Sequence, residues 1–197
     1  YVVLTSVDRD DLRDGGAAHF AATVSALRQR LPAAAVELLT PDFSGEAASL
    51  ETVAASGADV LGHNLETVRG LTSRIRDRRC SYHLSLQVLE RYRALAPRCL
   101  VKSSLLLGLG ESEAEVLESL RDLRSIGVDW VTLGQYLRPS RKHAPVRSFI
   151  PPEKFGELAT AARELGFPLV TAGPLVRSSY RAAEEGALEL LRSRSAC

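Results

Sequence analysis

Short apolar runs alternate with longer segments of helical period along the whole chain. Runs at 1–5, 35–40 (Ala-Val-Glu-Leu-Leu-Thr), 59–62, 100–107, 129–134 and 168–172 have the length and apolar character of buried strands. Between and after them, helical spacing recurs at about 17–31, 47–56, 66–77, 81–96, 112–126, 152–166 and 180–193. Over 17–31, Phe20, Val24, Leu27 and Leu31 recur at three- and four-residue intervals and build one apolar stripe. Ser112 followed by Glu115 predicts a capping box ahead of Leu117, Leu120 and Leu123. Gly57, Gly127 and Gly166 each close a helical run just before a strand, where a helix ends most easily on glycine.

Repeated strand–helix units of this length predict parallel strands joined by right-handed crossovers. Six such units without a break favour an open or closed (β/α) barrel. A Rossmann layout is the alternative, but no Gly-x-Gly-x-x-Gly follows the first strand. Residues 1–183 are assigned to this partial barrel and 184–197 to a C-terminal tail. The linker 137–151 is long, basic and punctuated by proline, and long loops in compact domains are often functional.

Composition narrows the function classes. Hydrophobic residues are 45% and charged residues 25% of the 197, as in an ordinary globular domain rather than a disordered chain. Lys+Arg 25 against Asp+Glu 24 gives a formal charge of +1, without the basic footprint of a general nucleic-acid binder. No apolar run approaches the roughly 20 residues of a membrane span and no signal peptide is legible, so a cytoplasmic protein is expected, with neither nucleic acid nor membrane as partner. The chain opens on Tyr1 within a strand and contains no Met, which leads us to expect a piece of a longer protein. Cys80, Cys99 and Cys197 are widely spaced, and His19, His63, His83 and His143 are equally scattered, so no self-contained metal site is encoded.

In parallel barrels the chemistry gathers at the carboxyl ends of the strands. There the sequence delivers Asp8, Asp10 and Asp11; Thr40 and Asp42; His63, Asn64 and Glu66; Gly108 and Gly110; Gln135, Arg138 and Arg141; and Arg177 to Tyr180, with Lys102 to Ser104 early in the fourth strand. Each group also has a plainer reading. The acidic run suits a solvated loop, Asn64 and Glu66 a helix cap, the glycines a tight turn, and Arg138 to His143 a solvated charge run. Arg177 to Tyr180 suits a helix start, and Cys80 and Cys99 suit passive thiols.

Taken together, TSVDRDDLRDGGAAHF (5–20), TPDFSG (40–45), HNLETV (63–68), KSSLLLGLGES (102–112), GQYLRPSRKHAPV (134–146) and GPLVRSSY (173–180) resemble, in this order, the lipoyl synthase family of radical S-adenosylmethionine enzymes. The resemblance runs from Tyr1 to about Ala183. It departs from the family pattern at Ser104, where Gly is usual, at Arg138, where Gln is common, and at Phe149-Ile150-Pro151.

The resemblance implies a TIM-like radical SAM barrel, incomplete at its amino terminus. It implies insertion of two sulfur atoms at C6 and C8 of a protein-bound octanoyl-lysine, making the lipoyl cofactor. The cofactors implied are S-adenosylmethionine and two 4Fe–4S clusters, one of which donates the sulfur. The partners implied are octanoylated lipoyl-carrier domains of 2-oxoacid dehydrogenase E2 subunits and the glycine cleavage H protein. By the same resemblance, Asn64, Glu66, Lys102, Ser104, Gly108 and Gln135 contact S-adenosylmethionine. Ser179, rather than Ser178, matches the family's serine ligand to the auxiliary cluster, and Arg177 helps to anchor substrate or cluster. The family's two cysteine triads have no counterpart here, so this polypeptide alone is expected to be inactive. A cluster-free barrel that binds a lipoyl carrier or a nucleotide is the alternative.

Overall fold

The computed structural model describes residues 1–179 and 184–195; Tyr180 to Ala183, Ala196 and Cys197 lie outside the described residues. Six strands form one sheet: β1 (Val2–Thr5), β2 (Val36–Leu39), β3 (Val60–Gly62), β4 (Leu100–Leu107), β5 (Trp130–Gln135) and β6 (Leu169–Gly173). Every pair is parallel and the spatial order is β1-β2-β3-β4-β5-β6. A doubly wound sheet reverses its strand order once; this one never does. It is therefore singly wound, as in a barrel wall, and among the described residues β1 and β6 do not pair to close it.

Helices α1 (Ala17–Arg30), α2 (Ala47–Ala54), α3 (Arg69–Ile75), α4 (Tyr82–Leu95), α5 (Glu113–Ser125) and α6 (Pro152–Glu164) fill the crossovers. Their buried stripes meet one face of the sheet. That face presents Val36, Leu38, Leu61, Val101, Leu105, Leu107, Val131 and Leu133, which share a core with Phe20, Val24, Leu89, Leu120 and Phe155. The predicted capping box forms, with Glu115 N donating to Ser112 and Ser112 N donating back to Glu115.

One helix starts later than its periodicity predicts. The run 66–77 becomes helical only at Arg69, because residues 65–66 are drawn onto β4. Leu65 N donates to Ser103 Oγ, Glu66 N to Ser104 O and Leu106 N to Glu66 O. The segment assigned to a tail forms α7 (Glu184–Ser195), whose Ala187 is fully buried against Val60, Leu100 and Trp130. Asp129, buried at the start of β5, accepts from Arg93 of α4 and Arg194 of α7 and binds Val101 N. The helix thus plugs the amino end of the sheet's concave side and leaves the carboxyl end as the mouth.

Candidate functional site at the barrel mouth

Strand register assigns residues to the concave side. Glu37 pairs with Val60, Val60 with Leu100, Lys102 with Trp130, Ser104 with Thr132, and Thr132 with Thr171. Side chains alternate along a strand, so these positions point into the lumen while the apolar set faces the helices. Lys102, only 3% exposed, donates from Nζ to Glu37 Oε1 at 2.7 Å and lies 3.6 Å from the Trp130 ring centroid. Tyr1 Oη donates to the other oxygen of Glu37 at 2.7 Å. Trp130 Nε1 in turn donates to Thr171 Oγ1 at 3.2 Å. Thr132 Oγ1 is buried and has no hydrogen-bond partner among the described residues.

Above this layer, Asn64 and Glu66 stand at the mouth. Asn64 Nδ2 donates to Glu66 Oε1 at 3.0 Å and to Ser178 Oγ at 3.2 Å. Glu66 is held at φ 69, a left-handed conformation costing a side-chain-bearing residue about 1 kcal/mol or more, by its two backbone bonds to β4. Burial pushes its carboxyl above the ordinary range, and the Asn64 hydrogen bond opposes this. Next to it, His63 is buried, with Nδ1 on Thr40 O and Nε2 on Ser85 Oγ. Burial chiefly lowers its pKa to about 4, with the nearby Arg76 cation pushing the same way. Thr40 O can only accept, so Nδ1 carries the proton and His63 is a neutral pillar beneath the mouth.

A cleft of about 540 Å³ opens beside Asn64 and Glu66, walled by the loops after β1 and β2 and by Arg76 and Arg79. Two acids of the first loop are paired: Asp11 with Arg9, and Asp10 with Arg79 at 2.6 Å. Gly108 and Gln135 lie apart from these residues, bracing the linker. Gln135 Nε2 donates to Tyr136 O and Ser148 O, and its Oε1 accepts from Ile150 N. Gly108 O accepts from Arg147 N, and a β-carbon at Gly108 would overlap Ser148 O, so the linker lies against glycine. Along the linker, Arg138 is turned back onto the carbonyls of Arg141 and His143, while Arg141 and Lys142 are exposed.

The turn after β6 folds over the lumen. A β-carbon at Gly134 would overlap the Val176 carbonyl oxygen, so the chain enters there against bare backbone. Ser178 O then accepts from Lys102 Nζ at 2.6 Å, and Ser179 is exposed beyond it.

The structure therefore brings Asn64, Glu66, Lys102 and the 177–179 turn together. Ser104 lies in the lumen wall, and Gly108 and Gln135 form a separate brace. Sequence reading missed Glu37, Trp130 and Thr132; a lone acid inside the apolar run 35–40 was the available signal for the first. Cys80 and Cys99 remain apart, and Cys197 lies outside the described residues. Cys99 donates to Ala58 O at 3.1 Å near the amino end of β4, Cys80 lines the cleft, and burial raises both thiols. Among the described residues no group of three or more His, Cys, Asp or Glu side chains is placed to hold a metal, so a 4Fe–4S cluster does not fit on them. No helix of the described residues is long and apolar enough to cross a membrane.

A family model for the radical SAM superfamily matches residues 1–123. Lipoyl synthase of Thermus thermophilus is 58% identical over 182 residues, 92% of this chain and 56% of that protein. The mitochondrial lipoyl synthase of Phytophthora infestans is 53% identical over 194 residues, 98% of this chain and 51% of that protein. Lipoyl synthase of Marinobacter nauticus is 56% identical over 182 residues, 92% of this chain and 52% of that protein. The chain thus spans about half the length of the curated relatives it matches. The crystal structure of methylornithine synthase superposes with a TM-score of 0.58 at 16% identity, covering 98% of this chain and 67% of that one. That likeness supports the barrel fold.

Proposed function

The chain belongs to the radical SAM superfamily, and from that membership we propose that it is the mouth-bearing barrel portion of a lipoyl synthase. The reaction is insertion of two sulfur atoms into a carrier-bound octanoyl-lysine, and the partners are octanoylated E2 domains and the glycine cleavage H protein. A cytoplasmic location belongs to the same reading. The observation that carries it is the junction at Asn64, whose amide joins Glu66 to Ser178 across the mouth. Residues far apart in sequence, each inside a segment resembling lipoyl synthases, meet at one polar opening.

In this reading Asn64 and Glu66 receive the methionyl end of S-adenosylmethionine, with the Glu66 carboxylate meeting its ammonium, and the β4 wall from Ser104 to Gly108 takes the adenosyl end. The cleft's volume is within the range of small-molecule sites. Gln135 acts by bracing the linker that borders the site, and Ser179 contributes a cluster ligand. The two clusters supply the reducing electron and the donated sulfur when bound. Their thiolates have no place on the described residues, so no step is drawn through them and the 197-residue chain alone forms no lipoyl product. The second reading is a cluster-free binding barrel. The exposed cations Arg141 and Lys142, with Arg138 bracing them, dock an acidic carrier domain.

The test uses the natural protein with any residues it has beyond these 197, reconstituted anaerobically with iron and sulfide. Given S-adenosylmethionine, reductant and an octanoylated carrier domain, it converts octanoyl-lysine to lipoyl-lysine, read by intact mass. Unaltered carrier, with iron absent after reconstitution, overturns the enzyme reading in favour of the binding barrel.

A further inference from the structure

The Lys102 ammonium is buried in the lumen, and its partners among the described residues are of two kinds. Glu37 neutralises it at 2.7 Å and Trp130 receives it on its ring face at 3.6 Å. Both belong to the barrel wall. The third, the Ser178 carbonyl at 2.6 Å, belongs to the turn that closes the mouth. A lysine already paired with a carboxylate in a low-dielectric site offers little to a second anion. Its remaining donors favour a neutral dipole such as a backbone carbonyl. The turn is shaped to reach it. Val176 O passes where Gly134 lacks a β-carbon, Arg177 Nη1 bonds back to Val176 O at 2.7 Å, and Ser178 Oγ rests on Asn64. The carbonyl and hydroxyl oxygens of Ser178 are thereby engaged, and the next residue, Ser179, is left exposed.

We propose that Lys102 is a positioning residue: through the Ser178 carbonyl it seats the 174–179 turn over the barrel mouth and so presents the Ser179 hydroxyl there. Glu37 and Trp130 fix the ammonium, and the ammonium fixes the turn. The consequence for chemistry rests on the reading of Ser179 as a cluster ligand. The seating itself does not.

Lys102→Met alone strands a buried carboxylate, so the decisive variant is Glu37→Gln with Lys102→Met, which removes both charges. Hydrogen exchange is followed by mass spectrometry in the natural protein. The double variant raises exchange of the peptide covering 174–179 by about tenfold or more, while β4 and β5 keep their protection. Ser178→Ala, which keeps the carbonyl, changes that exchange by no more than about twofold. In turnover, the double variant loses about tenfold in kcat for lipoyl product with the KM for S-adenosylmethionine within about twofold. Unchanged exchange at 174–179 overturns the proposal. So does a raised KM with kcat retained, the mark of a direct methionine contact. If Ser179→Ala forms product as the parent does, the ligand reading of Ser179 falls, and the exchange result still decides the role of Lys102.

Discussion

The two faces of one sheet differ more than any two parts of the sequence. On β4 the helix-facing positions Val101, Leu105 and Leu107 enter a continuous apolar core, whereas the lumen positions include Lys102 and Ser104. Across the sheet the lumen adds Glu37, Thr132 and Thr171 to the apolar plug of Val60, Leu100 and Trp130. The outer face is stabilised by area removed from water and tolerates any residue of suitable shape. The inner face is held by a few directional contacts, each needing a particular partner. One face makes the barrel and the other makes the mouth.

The sharpest way to break this contrast is to remove one charge of the lumen pair. Lys102→Met alone is expected to cost about 4 kcal/mol in urea unfolding, because Glu37 then stays buried without its counter-charge. Adding Glu37→Gln is expected to recover most of that loss. On the outer face, Leu105→Ala is expected to cost about 3 kcal/mol, the transfer of the side chain plus the cavity it leaves. No second substitution of comparable simplicity restores it, and that is the difference between the faces.

Protonation probes the boundary between them. His63 has a folded pKa of about 4 against an ordinary 6.5, so the folded state binds fewer protons than the unfolded chain. Stability on this account is full above the unfolded value and is lost as pH falls from 6.5 towards 4, by up to about 3 kcal/mol. The raised pKa of Glu66 has the opposite sign and offsets part of the loss. Urea midpoints at pH 7 and pH 4.5 are expected to diverge more in the parent than in His63→Gln. The smallest effect is expected at Thr132. Thr132→Val is within about 1 kcal/mol of the parent in thermal stability, since the hydroxyl it removes is buried without a partner among the described residues.

The outer face was the legible one. Strand and helix periodicity placed every βα unit, and the glycines at 57, 127 and 166 adopt the positive φ that ends a helix. The late start of α3 was not legible, because it depends on pairing of residues 65–66 with β4, some 40 residues away. The lumen was half legible. Strand ends and the resemblance pointed to Asn64, Glu66 and Lys102, but spacing along the chain does not reveal that Lys102 faces Glu37 rather than open solvent. That fact follows from strand register, which only the assembled sheet fixes. Likewise the segment 184–195 shows an ordinary helical pattern, and its docking under the barrel rests on Ala187 packing against Val60, Leu100 and Trp130 and on Arg194 meeting Cys99 and Asp129 just ahead of β4 and β5.

The central proposal is that the polar mouth, and not the basic linker 137–151, binds S-adenosylmethionine. Calorimetric titration of S-adenosylmethionine into the natural protein, beside Asn64→Ala and Arg141→Ala, tests it most directly. The account predicts a Kd raised about tenfold or more by Asn64→Ala and unchanged by Arg141→Ala. An unchanged Kd in Asn64→Ala, with the fold intact, would contradict it.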